Sequence, residues 1–283
     1  MIREHCLKMP KLLSPSDVAQ YERDGYLFPL RIMSIGDAAR VRAEVEDVEQ
    51  NRLGDIGGKL RHKPHLFLKS LDAIVRNEKL LDAVEDLLGP NILCWAAAFF
   101  TKEANDPAFV SWHQDATYWG LSEPDVLTAW VALSPASIAS GAMKVVPASQ
   151  AAGQLPHVET YHDHNLLTRG QEVQVDVDES TAVNMTLEPG EVSFHHVRLV
   201  HGSGPNQTDD RRIGYAIRYI PTRVSQLLAR DSAMLVRGRD EFGHFEPEQS
   251  PDADFSPQGI RNYLDANERH NAILYQGAEQ NRG

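Results

Sequence analysis

The 283 residues are 42% hydrophobic and 24% charged, ordinary fractions for a folded chain, which exclude a disordered or collagen-like protein. Lys+Arg 28 against Asp+Glu 40 leaves a net charge of −12, which argues against nucleic acid or an anionic membrane as a partner. Cys6 and Cys94 make no disulfide framework, no apolar run reaches the roughly 18 residues of a membrane span, and the charged start lacks a signal-peptide core, so a cytoplasmic soluble protein is predicted.

In chain order, Ser14-Pro15-Ser16-Asp17 caps a short helix that ends at Gly25. A second helix runs from Asp37 to about Arg52, and a third from Asn77 to Leu88, stopped by Gly89-Pro90. The glycine-rich, basic stretch between them, LGDIGGKLRHKPHLF, reads as a loop. After Pro90 the pattern changes to short β-branched or aromatic runs divided by Gly, Pro, Ser and Asp: ILCWAAAFF, FVSWHQD, VLTAWVAL, AMKVVP, GEVSFHHVRLVH and RIGYAIRYI. Such runs predict a sandwich or barrel. The tail from about Ala229 is polar and charged, with a helix near Ile260 to Tyr275. The chain reads as one domain over 1–283: a mainly helical part (1–89), a β core (90–221) and a C-terminal segment (222–283).

His113 and Asp115 stand two apart in WHQD, so on a strand an imidazole and a carboxylate share one face. His201 ends the run GEVSFHHVRLVH. Two histidines and a carboxylate on one side of a metal leave three positions open, the arrangement that suits non-haem Fe(II) oxygen chemistry. Downstream, the turn GSGPNQTDD leads into RRIGYAIRYI, and two antiparallel strands so joined would bring Arg212 near His201. By period two, Arg212, Gly214, Ala216 and Arg218 share one face, and Ile213, Tyr215, Ile217 and Tyr219 the other. The first face leaves space for a ligand whose carboxylate Arg212 would clamp. Arg211 reads as a member of a solvated charge cluster.

At these residues the chain resembles the phytanoyl-CoA dioxygenase family of Fe(II)/2-oxoglutarate oxygenases, in the branch that holds small bacterial non-haem hydroxylases and halogenases. FVSWHQDATYWGL, TAWVALSPASIASGAMKVVPASQ and PGEVSFHHVRLVHGSGPNQTDDRRIGYAIRYIP carry the resemblance. It implies a mainly β fold with α elements: a double-stranded β-helix, or cupin-like jelly roll, of two four-stranded sheets with flanking N-terminal and C-terminal helices. It implies His113, Asp115 and His201 as catalytic iron ligands and Arg212 as the anchor of the 2-oxoglutarate distal carboxylate, assisted by Ser203. It matches Trp130 and Lys102 to groups near that co-substrate, and it places Gln114, Gly141 and Asn206 at family positions. The implied reaction consumes O2 and 2-oxoglutarate and hydroxylates an unactivated C–H bond, giving succinate and CO2. Asp115 fills the position that a small residue opens to chloride in the halogenases, so hydroxylation is preferred to halogenation; a non-catalytic metal- or 2-oxoglutarate-binding protein and a metal-using isomerase or cupin-type hydrolase are the other readings.

Tyr118, Trp119, His195 and Arg218 are candidate substrate contacts, Arg218 for an anionic group. His157, His162 and His164 read as part of a mobile loop, and His62 and His65 as a lid or a solvated loop. The expected substrate is a small polar metabolite or natural-product intermediate, not a long acyl-CoA; no signal for the oligomeric state is present.

Overall fold

Local chemistry sets the helix starts. Ser14 Oγ accepts the Asp17 N–H while Asp17 accepts the Ser14 N–H at 2.9 Å, a reciprocal cap that opens α1 (Pro15–Asp24). Ser34 caps α2 (Ile35–Asn51) by accepting the Asp37 N–H, and Asn77 caps α4 (Glu78–Leu88) by accepting the Leu80 N–H, each without the reciprocal bond. Between these last two the chain forms a further short helix, α3 (Lys69–Val75), and near the C-terminus α5 spans Pro257–Leu274. This computed structural model describes residues 10–52, 62–115, 119–160, 162–167 and 170–274. Among them no helix is long and apolar enough to cross a membrane.

The strands, in order, are β1 (Tyr26–Arg31), β2 (Ile92–Lys102), β3 (Val110–His113), β4 (Leu127–Ala132), β5 (Met143–Val145), β6 (His157–Glu159), β7 (Gln171–Val173), β8 (Val183–Met185), β9 (Glu191–His196), β10 (His201–Ser203), β11 (Arg212–Pro221), β12 (Ser232–Arg237) and β13 (Glu246–Pro247). They build a jelly roll from a seven-stranded sheet, β1-β9-β4-β11-β2-β12-β13, and a four-stranded sheet, β3-β10-β5-β8, with β6 and β7 paired apart. The sheets are therefore seven and four strands, not four and four. β1 lies within the stretch read as helical, and β12 and β13 come from the tail.

β11 is buried along its whole length, and its two faces do different things. Ile213, Tyr215, Ile217 and Tyr219 join the main core with Val45, Leu71, Leu80, Val84 and Tyr263 of the helices. Burying such side chains stabilises the fold by about 1.5–3 kcal/mol each. The opposite face, with Arg212, Ala216 and Arg218, looks into a cavity shared with the small sheet. Helices thus cover one side of the large sheet and the cavity lies on the other.

Two sequence expectations are corrected. His201 does not end the strand that carries His195: β9 stops at His196, the chain turns through 197–200, and His201 opens β10 in the other sheet. Hydrogen bonds from Leu199 N–H to the His196 carbonyl and from Val200 N–H to Ser149 Oγ hold this crossing. β10 and β11 are consequently not a hairpin, and Arg212 meets His201 across the cavity. Secondly, His62 and His65 form neither a solvated loop nor an outer lid. His65 is fully buried in a single 3-10 turn, and His62 pairs its backbone with Ala98 and stacks on His270 with ring centroids 3.7 Å apart. Nearby, buried Lys63 Nζ donates to Glu248 Oε1 at 2.5 Å and to the Ser232 carbonyl at 2.6 Å, which ties this segment to the C-terminal part.

Tyr219 Oη donates to the Val75 carbonyl at 2.8 Å in the dry layer between β11 and α3. Tyr219→Phe leaves that carbonyl without a donor and is expected to lower stability by about 1–2 kcal/mol in urea unfolding; an unchanged midpoint would show that the bond contributes nothing.

Candidate metal centre

Strand register brings the histidines together: His201 on β10 is the direct antiparallel partner of His113 on β3, and their rings lie 4.1 Å apart. Asp115 follows two residues after His113 and is fixed by its N–H, which donates to the Val197 carbonyl at 3.1 Å. Ligand atoms of His113, Asp115 and His201 all fall within 4.8 Å of one another, and all three residues are buried.

Hydrogen bonds decide which ring nitrogens face inward. His113 Nδ1 lies 2.9 Å from the Ser111 carbonyl and 3.1 Å from the His201 carbonyl; His201 Nδ1 lies 2.9 Å from the Leu199 carbonyl. A carbonyl only accepts, so Nδ1 carries the proton in each ring and Nε2 presents its lone pair. Burial, with His113 beside it, holds the His201 imidazolium well below its usual value, which keeps the ring neutral. Burial alone would raise the Asp115 carboxyl, but the His113 and His195 rings, with His201 and Arg218, outweigh it and hold the group well below the usual carboxylate range. Two imidazoles with Nε2 turned inward and one carboxylate therefore converge from a dry wall, and this donor set fits a ferrous ion with open positions.

The cavity that the triad faces is partly open to solvent and is lined also by Phe100, Val110, Trp130 and Met143 among others, with Ser203 and Arg212 at one end and His195 and Arg218 also facing it. Lys102 is fully buried at the Ser203 end: Nζ donates to Ser203 Oγ at 2.7 Å and to the Gly204 carbonyl. Arg212 is its cross-strand partner, donates to the Gly141 carbonyl at 2.7 Å, and lies 5.3 Å from the Trp130 ring. Neither cation has a carboxylate partner among the described residues. Burial and then the Arg212 charge push the Lys102 ammonium down to about 7. Gly141 is required here: its φ is +74°, and a Cβ would stand 2.4 Å from the Gly204 carbonyl oxygen. Gly214 leaves the space that Trp130 fills, since a Cβ there would overlap the indole at 1.8 Å.

Sequence-predicted residues thus meet in one cavity from both sheets: His113, Asp115, His201, Ser203, Arg212 and Trp130, with Lys102 behind Ser203, and with His195 and Arg218. Tyr118 lies outside the described residues. Trp119 packs on Trp95 at 5.2 Å and covers the Arg218 guanidinium at 4.8 Å. Arg211 pairs with Glu49 and Glu103, and Asn206 braces its turn through Glu103 and Asp210 carbonyls. His157 belongs to β6, not to an irregular loop, and its Nε2 accepts the Gln114 N–H at 2.9 Å. Gln114 in turn donates to the Gly153 and Arg198 carbonyls, so the residue between the two ligands is locked from behind. The sequence reading missed Thr128, whose residue lines the cavity and whose hydroxyl has no partner among the described residues; as one polar residue in VLTAWVAL it was visible only as an interruption.

Comparison with known proteins agrees with this geometry. The profile of the phytanoyl-CoA dioxygenase (PhyH) family matches residues 6–214. The chain is 32% identical over 223 residues to a probable alpha-ketoglutarate-dependent hypophosphite dioxygenase of Stutzerimonas stutzeri, covering 70% of this chain and 76% of that protein. It is 25% identical over 249 residues to L-proline trans-4-hydroxylase of Streptomyces griseoviridis, covering 77% and 93%. Among solved structures, apo ThoJ, a non-heme monooxygenase, superposes with a TM-score of 0.82 at 36% identity, covering 92% of this chain and 97% of that one. The chain belongs to the phytanoyl-CoA dioxygenase family, and is an Fe(II)- and 2-oxoglutarate-dependent dioxygenase.

Proposed function

We propose that the protein hydroxylates an unactivated C–H bond of a small polar metabolite or natural-product intermediate, with Fe(II) held by His113, Asp115 and His201. The observation that carries this reading is the convergence of that triad at one cavity with two buried cations, Lys102 and Arg212, that have no ion-pair partner among the described residues. When bound, iron and 2-oxoglutarate together use O2 to supply the oxidant for C–H cleavage, with succinate and CO2 as products.

The residues present account for the remaining work. Arg212, and Lys102 acting from behind the Ser203 hydroxyl, bind the distal carboxylate of 2-oxoglutarate through charge-assisted hydrogen bonds. Trp130 holds the Arg212 guanidinium in place by stacking under it. Phe100, Val110 and Met143 line the approach with apolar surface that excludes water from the reacting groups. The relatives whose names give hypophosphite and L-proline as substrates support a small polar compound over a long acyl-CoA.

Three outcomes test this. His201→Ala is expected to abolish both stoichiometric Fe(II) binding and succinate formation; retention of either removes the triad from the mechanism. Arg212→Gln is expected to raise the Kd for 2-oxoglutarate at least tenfold while Fe(II) affinity changes less than twofold, measured by anaerobic titration. The third concerns pH. Lys102 titrates near 7 in the free protein, and an anionic ligand favours its protonated form, so 2-oxoglutarate binding takes up a proton. Affinity is then highest below pH 7 and falls as pH rises through 7 toward 9, by up to about tenfold per unit. Calorimetry in buffers of different ionisation heat checks the proton uptake, and Lys102→Met is expected to flatten the profile.

A further inference from the structure

The inner face of β11 carries a second guanidinium that the binding of 2-oxoglutarate leaves unused. Arg218 is 8% exposed and lines the cavity, yet among the described residues it has neither a hydrogen-bond nor an ion-pair partner. Its group lies 4.8 Å from the Trp119 ring and 5.8 Å from the Phe100 ring. These contacts orient a cation and offset part of its desolvation, but they accept none of its N–H donors. Asp115 acts on it across the cavity, and the Asp115 oxygens already face His113 and His195 at 3.5 and 3.7 Å. A buried charge in this state is costly unless a ligand completes it.

Register shows what surrounds it. Thr128 on β4 is the direct partner of Arg218, and His195 on β9 is the direct partner of Thr128. Among the described residues Thr128 Oγ1 and His195 Nδ1 are both buried without a hydrogen bond, as is Arg218 Nε. Three adjacent strands thus present a guanidinium, a hydroxyl and an imidazole in one row, each with unused hydrogen-bonding capacity and each facing the same cavity. Beside the row the residues are small: Ala96 pairs with Arg218, and Ala98 pairs with Ala216 one step along. Arg212 is six residues away on the same strand, roughly 20 Å along it at ordinary strand rise, so this row and the Lys102–Arg212 end are separate sites.

We propose that the Arg218–Thr128–His195 row is the substrate anchor, and that the substrate carries a small oxyanion head, a carboxylate or a phosphorus oxyanion, which Arg218 binds with a further hydrogen bond from the Thr128 hydroxyl. This specifies the substrate class within the function proposed above and rests on it. The anion end is held by the large sheet, and the remainder of the substrate lies toward the triad on the opposite sheet.

The test uses the full-length protein loaded anaerobically with Fe(II) and 2-oxoglutarate. Small carboxylic, amino and phosphonic acids are screened by thermal shift, each beside its neutral amide or ester. The acids are expected to bind and their neutral counterparts to fail, and the comparison of carboxylic with phosphonic acids identifies the head group. For the tightest acid, Arg218→Gln is expected to raise Kd at least tenfold and Thr128→Val severalfold, with Arg218→Lys intermediate and 2-oxoglutarate affinity changed less than twofold in all three. Ligand-free Arg218→Gln is expected to gain in Tm, because it removes an uncompensated buried charge. Equal binding of neutral counterparts, no acid binding at millimolar concentration, or an unchanged acid Kd in Arg218→Gln overturns the proposal. Failure of wild type to bind 2-oxoglutarate is a different result and overturns the co-substrate reading instead.

Discussion

The Nδ1–H of His201 donates to the Leu199 carbonyl and that of His113 to the Ser111 and His201 carbonyls, and from these bonds the centre follows. They choose the tautomer, aim both Nε2 lone pairs at one point, and connect the rings to backbone that is itself paired between β3 and β10. A side chain held only by packing could rotate; a ring whose second nitrogen is bonded to a strand carbonyl is set by the strand. The brace behind Gln114 extends the same control to Asp115, since the intervening residue is bonded on backbone and side chain alike.

The large sheet has a different task. The chain as a whole is acidic, at −12, yet its cavity holds Lys102, Arg212 and Arg218 with no acid paired to any of them among the described residues. Overall charge and local charge are separate quantities, because surface acids such as Glu49 and Glu103 are spent on Arg211. Holding three cations out of water disfavours folding. The opposite face of the same strand compensates, since Ile213, Tyr215, Ile217 and Tyr219 pack without exposure against the helices. Stability and ligand binding are thus divided between the two faces of β11, residue by alternate residue.

That alternation is why much of the site was legible beforehand. Period two sorted Arg212, Gly214, Ala216 and Arg218 from their bulky neighbours, and the cap at Ser14 marked a helix start because the backbone donors there need that side chain. Other features left no local mark. β1 is an edge strand with Pro29 inside it, a residue tolerated at an edge but one that argues against a strand when only the sequence is seen. The crossing from β9 to β10 uses Val, Arg, Leu and Val, with no glycine or proline to announce it, so GEVSFHHVRLVH read as one strand. His62 and His65 sit in a basic, glycine-rich stretch whose composition suggested solvent, and only tertiary packing against His270 and the core buries them. The free hydrogen-bonding atoms of Thr128 and His195 are a property of what does not surround them, which one-dimensional pattern cannot display.

β1 also has a temporal meaning. It borders β9, with Tyr26 opposite His195, and Gly25 accepts the His196 N–H at 2.9 Å. Of the described strands, the one synthesised earliest therefore has its hydrogen-bonding mate about 165 residues behind it. During synthesis its backbone groups stay open to water, or to a neighbouring nascent chain, until most of the jelly roll has been made. The proline that hid this strand from sequence reading also blunts it as a template for mispairing through that wait.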